Sequence, residues 1–138
     1  QSSCSRVACP DRALFGYSRA SLASISANLR SFRRLFTGAG GAGFDDLIAS
    51  EGLREVANRM LGQIDDAIAL ADSIESPLVI QAQDLLDAGD ESVCLNSAAN
   101  PDSDQTIPAC ALHGLMKRIT DSLRTDFITI VDIDHFKV

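Results

Sequence analysis

The stretch from Leu53 to Ile74, LREVANRMLGQIDDAIALADSI, carries the hydrophobic pattern that decides the fold. Its apolar residues recur every three or four positions, at Leu53, Ala57, Met60, Ile64, Ala67, Ala71 and Ile74. This step matches the repeat of an α-helix and places these side chains on one face. The pair Ser76-Pro77 disfavours further helix. The stretch therefore predicts an amphipathic helix over about residues 52–75.

Two other stretches show the same step. One predicts a helix over about residues 10–37, and Gly38 then ends it. Its apolar positions are Phe15, Leu22, Ile25, Leu29, Phe32 and Phe36. The other predicts a helix over about residues 108–130, from Leu112, Met116, Ile119, Leu123, Phe127 and Ile130. FDDLIASEG (44–52) and LVIQAQDLLD (78–87) read as shorter helices.

These elements predict an all-α fold, an antiparallel helical bundle of three long helices plus one or two short ones, because short connections favour antiparallel neighbours. The length of 138 residues indicates one domain over 1–138. We expect an N-terminal arm at 1–10, the bundle at 11–131 and an irregular tail at 132–138. No apolar run approaches the ~20 residues of a transmembrane segment.

Charge is divided unevenly along the chain. The net charge of −7 disfavours nucleic acid and anionic membranes as partners. Residues 1–38 hold six Arg and one acid, Asp11, and are basic, whereas the remainder is strongly acidic. On a helix, Arg12, Arg19, Arg30 and Arg34 fall nearly on one line. This line is either a solvated face or a surface that meets acidic groups inside or outside the chain.

The four cysteines are an even number, and no C-x-x-C pair occurs among them. This disfavours zinc and thioredoxin-like sites and favours disulfides in an oxidising compartment. Three pairings are open. We favour Cys94–Cys110, which closes the long polar loop 88–110, and Cys4–Cys9 in the N-terminal arm.

The segment FTGAGGAG (36–43) places Gly38, Gly40 and Gly43 at the G-x-G-x-x-G spacing. A dinucleotide-binding loop needs a preceding strand, and here a helix precedes it, so nucleotide binding is disfavoured. We interpret Gly38 as a helix cap and the other glycines as a flexible connection; alternatively, the backbone amides bind an anion or a carboxylate. The candidate contact surface for a partner or ligand is Gly38, Gly40, Gly41, Gly43, Phe44, Asp45 and Asp46.

No catalytic or metal-binding residue is predicted in this chain. His113 and His135 are not part of an H-x-x-E or H-E-x-x-H pattern, and no G-x-S-x-G motif is present. His135 follows Asp132 and Asp134 in the tail, which is a weak place for a metal site. Weak calcium binding at Asp102 and Asp104 is a minor alternative, since the EF-hand pattern is missing. Whether the chain is an enzyme is therefore open, with the residues favouring a non-enzyme.

Three segments together resemble the second half of imelysin-like proteins. They are GYSRASLASISANLRSFRRLFTGAGGAGFDDLIAS (16–50), VANRMLGQIDDAIALADSIESPL (56–78) and LHGLMKRITDSLRTDFITIVDI (112–133). The resemblance covers roughly residues 13–131 and implies a helical fold of two bundle-like halves. It also implies a periplasmic, outer-membrane-associated or secreted location and a link to iron uptake.

The imelysin family is named for a peptidase, and its G-x-H-x-x-E signature is absent here: His113 is followed by Gly114, Leu115 and Met116. The family's metal or catalytic residues are therefore not transferred. We expect a non-catalytic half that binds a partner half or a ligand, as a cut product, an isolated domain or a shortened relative. Iron or another divalent metal is expected only together with a partner half. The alternatives are part of a metallopeptidase whose H-x-x-E site lies on another chain, and an unrelated secreted helical interaction module.

Overall fold

The computed structural model describes Pro10, residues 20–89, 92–97, Ala99 and 107–135, with Val93 and 127–135 described by their backbone alone. The all-α class is confirmed within these residues. Their helices, in chain order, are α1 (Ser21–Phe36), α2 (Phe44–Ser50), α3 (Arg54–Ser73), α4 (Leu78–Ala88), α5 (Ser92–Asn96) and α6 (Pro108–His135).

Helix α3 lies at the centre of the fold and packs against α1, α2 and α6. Its apolar stripe is buried as predicted, with Ile64 and Ala67 fully inaccessible to solvent. Around them lies one core: Leu29 and Phe36 of α1, Ile48 of α2, Ala57, Met60, Ile68 and Ala71 of α3, and Leu112, Leu115 and Ile119 of α6. Burial of this apolar surface is the main force that assembles the helices.

Ion pairs show how the long helices run relative to each other. Arg30 and Arg33 of α1 pair with Asp72 and Asp65 of α3, so the later residue on α1 meets the earlier residue on α3. Arg59 of α3 pairs with Asp126 of α6 at 2.9 Å, and the earlier Ser122 of α6 donates to the later Gln63 of α3 at 3.4 Å. Both α1 and α6 are therefore antiparallel to α3.

Of the four arginines predicted to lie on one line, Arg30 forms an ion pair within the chain, with Asp72. Ser26 is buried and donates a hydrogen bond of 2.6 Å to Asp72, to which Arg30 also donates. Arg34 is exposed, and Arg12 and Arg19 lie outside the described residues. Because the side chains of Arg30 and Asp72 are both about half exposed, this pair stabilises the fold by at most about 1 kcal/mol.

The predicted helix bounds agree with the structure except at three places. Helix α6 continues to His135, so the expectation of an irregular tail from 132 is wrong for 132–135. The polar loop 88–110 contains the short helix α5, which the sequence analysis did not predict. Helix α1 begins at Ser21 with Ala20 as its N-cap, so the predicted helix over about 10–37 does not include residue 20. The rest of its expected first part, at 11–19, and the N-terminal arm at 1–9 lie outside the described residues.

A second, smaller core holds α4 and α5 against the start of α6. The Cys94–Cys110 disulfide, favoured from the sequence, joins α5 to α6 with its Cα atoms 4.6 Å apart, and both cysteines are buried with Leu85. The buried Gln81 donates to the Ser76 carbonyl and accepts from the Ala109 amide, each at 2.7 Å. Gln81 thus satisfies one of the free amides at the start of α6. The Cys4–Cys9 pairing lies outside the described residues.

We expect the Cys94→Ala/Cys110→Ala double variant to lose about 3 kcal/mol of unfolding free energy, because the bridge restricts the unfolded chain. Its two cysteines are 16 positions apart. Urea unfolding followed by circular dichroism measures the loss. A change below about 1 kcal/mol would contradict a structural role for this bridge.

We expect Gln81→Leu to destabilise the protein by about 2 kcal/mol, because it leaves the Ser76 carbonyl and the Ala109 amide, both in part-buried hydrogen bonds, without their partner. The matched control is Gln83→Leu, on the same helix, where the side chain is exposed and bonds only to Asp87. Equal midpoints of thermal unfolding for the two variants would show that Gln81 does not join α4 to α6.

Candidate functional site

The glycine segment begins with a tight helix ending. Gly38 has a φ of 66°, the left-handed conformation predicted for a cap glycine. The Gly38 amide donates to the Leu35 carbonyl, and the Ala39 amide donates to the Arg34 carbonyl at 3.0 Å. These two hydrogen bonds form a Schellman motif. Ala39 is also left-handed, at a φ of 52°, which is unusual for a residue with a side chain. The chain therefore reverses sharply at the end of α1.

After this reversal the chain crosses closely over itself. A Cβ atom on Gly43 would lie 2.4 Å from the Phe36 carbonyl oxygen, and one on Gly38 would lie 2.4 Å from the Ala42 carbonyl oxygen. Both distances are far inside van der Waals contact, so these two positions require glycine for space. The segment is thus a closely packed turn. Two of the three glycines in the G-x-G-x-x-G spacing, Gly38 and Gly43, lie where its backbone passes over itself.

Most amides of the turn are used within the chain. Gly41 donates to the Gly38 carbonyl at 2.9 Å, and Gly43 donates to the Asp46 carboxylate at 3.0 Å. Asp46 thereby caps the start of α2, where a negative charge is also favoured by the helix dipole. Asp45 differs, since its Oδ1 atom is buried and has no hydrogen-bond partner among the described residues. Gly40 and Gly41 are exposed.

Phe44, the first residue of α2, follows the turn directly and lies at the edge of a cavity. This cavity, here called the phenylalanine cavity, measures about 320 Å³. It lies between the end of α1, helix α2 and the second half of α6, with α3 as its floor. Its lining residues are Phe32, Leu35, Phe36, Phe44, Ile48, Met60, Leu123 and Asp126. Of the candidate contact residues predicted from the sequence, only Phe44 lines it.

A longer groove continues from the phenylalanine cavity along α1 and α6. Both helices pack on α3, yet within the described residues they scarcely meet each other. Two further hollows of about 280 and 420 Å³ occupy the gap, and they share Ile25, Met116 and Thr120 with each other. The first of them shares Phe32 and Leu123 with the phenylalanine cavity. We call this continuous depression the α1/α6 groove.

Charged groups are few along the α1/α6 groove. Asp126 stands at one end, where its Oδ2 accepts a hydrogen bond of 2.9 Å from Arg59. Lys117 stands near the other end and bonds to Asp121, one helical turn away, at 2.8 Å. On the opposite side of α1, the hydrogen bond and charge of Asp65 raise the pKa of Arg33 above its ordinary value. A raised arginine pKa keeps that side chain charged throughout the physiological range, so this pair adds no pH dependence there.

The described residues do not assemble a metal site. No group of three His, Cys, Asp or Glu side chains lies together within them, and His113 is exposed at the groove. Asp102 and Asp104 lie outside the described residues, and His135 is described only by its backbone. No helix in the described part has the length and apolar character needed to cross a bilayer.

The sequence analysis missed most of the groove. Its walls come from residues that were predicted as core positions, such as Ile25, Phe32 and Met116. Asp126 was not singled out either, since it lies 67 positions from its partner Arg59. The exposed Leu35, off the predicted stripe, was the available signal of a second apolar face on α1.

Fold and groove together define an all-α protein with an open apolar face between two parallel helices. A family model described as Imelysin matches residues 9–113, which is more than half of the chain, and the chain therefore belongs to the imelysin family. The match confirms the resemblance for the first two quoted segments, and most of the third lies beyond it. No curated protein and no solved structure matches the chain significantly.

We expect Gly43→Ala to destabilise the protein by about 2 kcal/mol, because the new methyl group would overlap the Phe36 carbonyl. The control is Gly41→Ala, whose methyl group would lie 3.5 Å from the Gly38 carbonyl oxygen, an ordinary contact. Urea unfolding of both variants gives the comparison. Similar stabilities of the two variants would mean that the backbone at Gly43 does not lie this close to the backbone at Phe36.

Proposed function

We propose that this chain is a non-catalytic helical half of an imelysin-like protein associated with iron uptake, and that it acts by binding a partner half. The α1/α6 groove carries the proposal. Helices α1 and α6 turn apolar side chains toward each other without closing the gap, and a further amphipathic helix is the element that fills such a gap in a bundle. The partner half lies either on a separate polypeptide or elsewhere on a longer one.

Exposure of apolar side chains supports this proposal. Leu35 is 73% exposed and Met116 is 37% exposed, each at the edge of the groove. Contiguous apolar surface of this kind is typical of interaction sites. Had every apolar stripe been covered within the chain, the expectation of a partner half would have failed.

The non-catalytic part of the proposal rests on the sequence and the site together. The chain has no H-x-x-E motif, and most of the groove lining consists of aliphatic, aromatic and thioether side chains. Its ionisable members, Asp126, His113 and Lys117, are spread along the groove between two of the hollows. A metallopeptidase half remains the second candidate, with its H-x-x-E site on the partner. Family membership argues against an unrelated interaction module.

A periplasmic, outer-membrane-associated or secreted location belongs to the same proposal. The buried Cys94–Cys110 disulfide supports it, since disulfides persist in oxidising compartments and are rare in the cytosol. Iron or another divalent metal would be held only with residues of the partner half, because the described residues assemble no ligand set.

Native mass spectrometry of the protein purified from its source tests the proposal. We expect the 14.7 kDa chain in complex with an imelysin-type half of comparable size, or as part of one longer chain that contains it. A partner that carries H-x-x-E with bound metal would favour the metallopeptidase alternative. A lone 14.7 kDa species without a partner would contradict the proposal.

We expect Met116→Glu to abolish this association, because it places a charge in the α1/α6 groove where an apolar surface must be covered. The matched control is Leu95→Glu, since Leu95 is a 63% exposed apolar residue on α5, away from the groove. The fraction of complex in native mass spectra is the readout. Equal loss in both variants, or loss in neither, would place the interface elsewhere.

A further inference from the structure

We propose that the phenylalanine cavity is a binding site for a small aryl-alkyl amine, with the aromatic body inside the cavity and the ammonium group at Asp126. This site goes beyond the proposed function, because it requires no partner half. It concerns only the end of the groove that is formed by α1, α2, α3 and the second half of α6.

The cavity has the size and lining of a small-molecule site. Its volume of about 320 Å³ lies at the lower end of the ~300–1,000 Å³ range of ligand pockets. Rings of Phe32, Phe36 and Phe44 line it, with the thioether of Met60 beside them. Aromatic rings and thioethers both make favourable contacts with a further aromatic ring. The lining therefore favours an aryl group over a branched polar molecule.

A close contact between backbone atoms shapes one wall of the cavity. Gly43 crosses directly over Phe36, which fixes the start of α2 relative to the end of α1. Phe44 follows immediately and remains 47% exposed at the mouth. Phe32 and Phe36 have their ring centroids 6.2 Å apart and tilted by 47°, a packed arrangement. A preformed cavity requires little ordering on binding, which favours affinity for a small ligand.

Asp126 supplies the polar end of the site. It is the one charged residue among those that line the cavity in the described part of the chain. The side chain of Asp126 is partly exposed and lines the cavity, and a carboxylate that accepts one hydrogen bond from Arg59 has the capacity to accept further donors. A carboxylate beside an apolar cavity attracts an ammonium group and repels a carboxylate. The aromatic lining thus selects an aryl group, and Asp126 selects a positive charge on the ligand.

Three molecules that share one body test the charge preference: 4-phenylbutylammonium, 4-phenylbutanol and 4-phenylbutyrate. Each is titrated into the chain at pH 7 and low salt, with methionine methyl groups labelled with ¹³C for NMR. The chain has two methionines. Met60 lines the cavity and Met116 lines only the neighbouring part of the groove, so Met116 is an internal control.

We expect the Met60 methyl signal to shift on titration while the Met116 signal stays in place. The ammonium compound should bind about tenfold more tightly than the carboxylate, with the alcohol between them. Added salt should reduce this difference, because the pair lies near the surface.

Two variants separate the charge effect from a change in folding. Asp126→Asn keeps the shape of the side chain and removes its negative charge beside Arg59, so the ammonium compound should lose its advantage over the carboxylate. Arg59→Gln removes the competing cation and should tighten binding of the ammonium compound several-fold. A general loosening of the fold would weaken all three ligands in both variants, which is a different pattern.

The proposal is overturned if the Met60 signal does not respond, if Met116 responds equally, or if the three molecules bind with the same affinity. It is also overturned if Arg59→Gln weakens binding of the ammonium compound. Because these titrations use the chain alone, their failure leaves the partner-half proposal standing, and failure of that proposal does not affect them.

Discussion

Burial of the apolar face of α3 is the constraint on which the rest of the structure depends. Ala57, Ala67 and Ala71 lie on that face, and their small side chains allow α1, α2 and α6 to approach closely, while Ile64 is fully enclosed. All three neighbours use the same helix as their support. Their positions relative to one another are therefore consequences of how each packs on α3, with ion pairs such as Arg59–Asp126 setting the register.

Two local sets of contacts attach the shorter helices α2, α4 and α5 to the long ones. At one end, the crossing at Gly38 and Gly43 directs the chain from α1 into α2 and places Phe44 beside Phe36. At the other end, Gln81 and the Cys94–Cys110 disulfide attach α4 and α5 to the start of α6. The first is a close contact between backbone atoms, and the second combines a disulfide and side-chain hydrogen bonds with the small core around Leu85. They leave the sides of α1 and α6 that face each other uncovered, and the α1/α6 groove is the result.

The groove accounts for the apolar residues that a self-sufficient bundle would bury. Ile25 and Phe32 are only partly buried although they belong to the predicted stripe of α1, since α3 covers just one side of that stripe. On α6, Met116 is exposed for the same reason. The phenylalanine cavity at the end of the groove differs from the rest of it, because Asp126 adds a charged group to an otherwise apolar lining.

The sequence by itself determined the helices, because each long one has an apolar repeat that only an α-helix can place on one face. It also determined the family and the cap at Gly38. Only the tertiary structure decided which side of each stripe is buried, since a repeat shows a face but not its neighbour. The cavity at Phe44, the pairing of Arg59 with Asp126 and the close crossing at Gly43 all join residues that are distant in the chain or meet only through the backbone. Local patterns carry no record of such contacts, because they arise only when the helices pack.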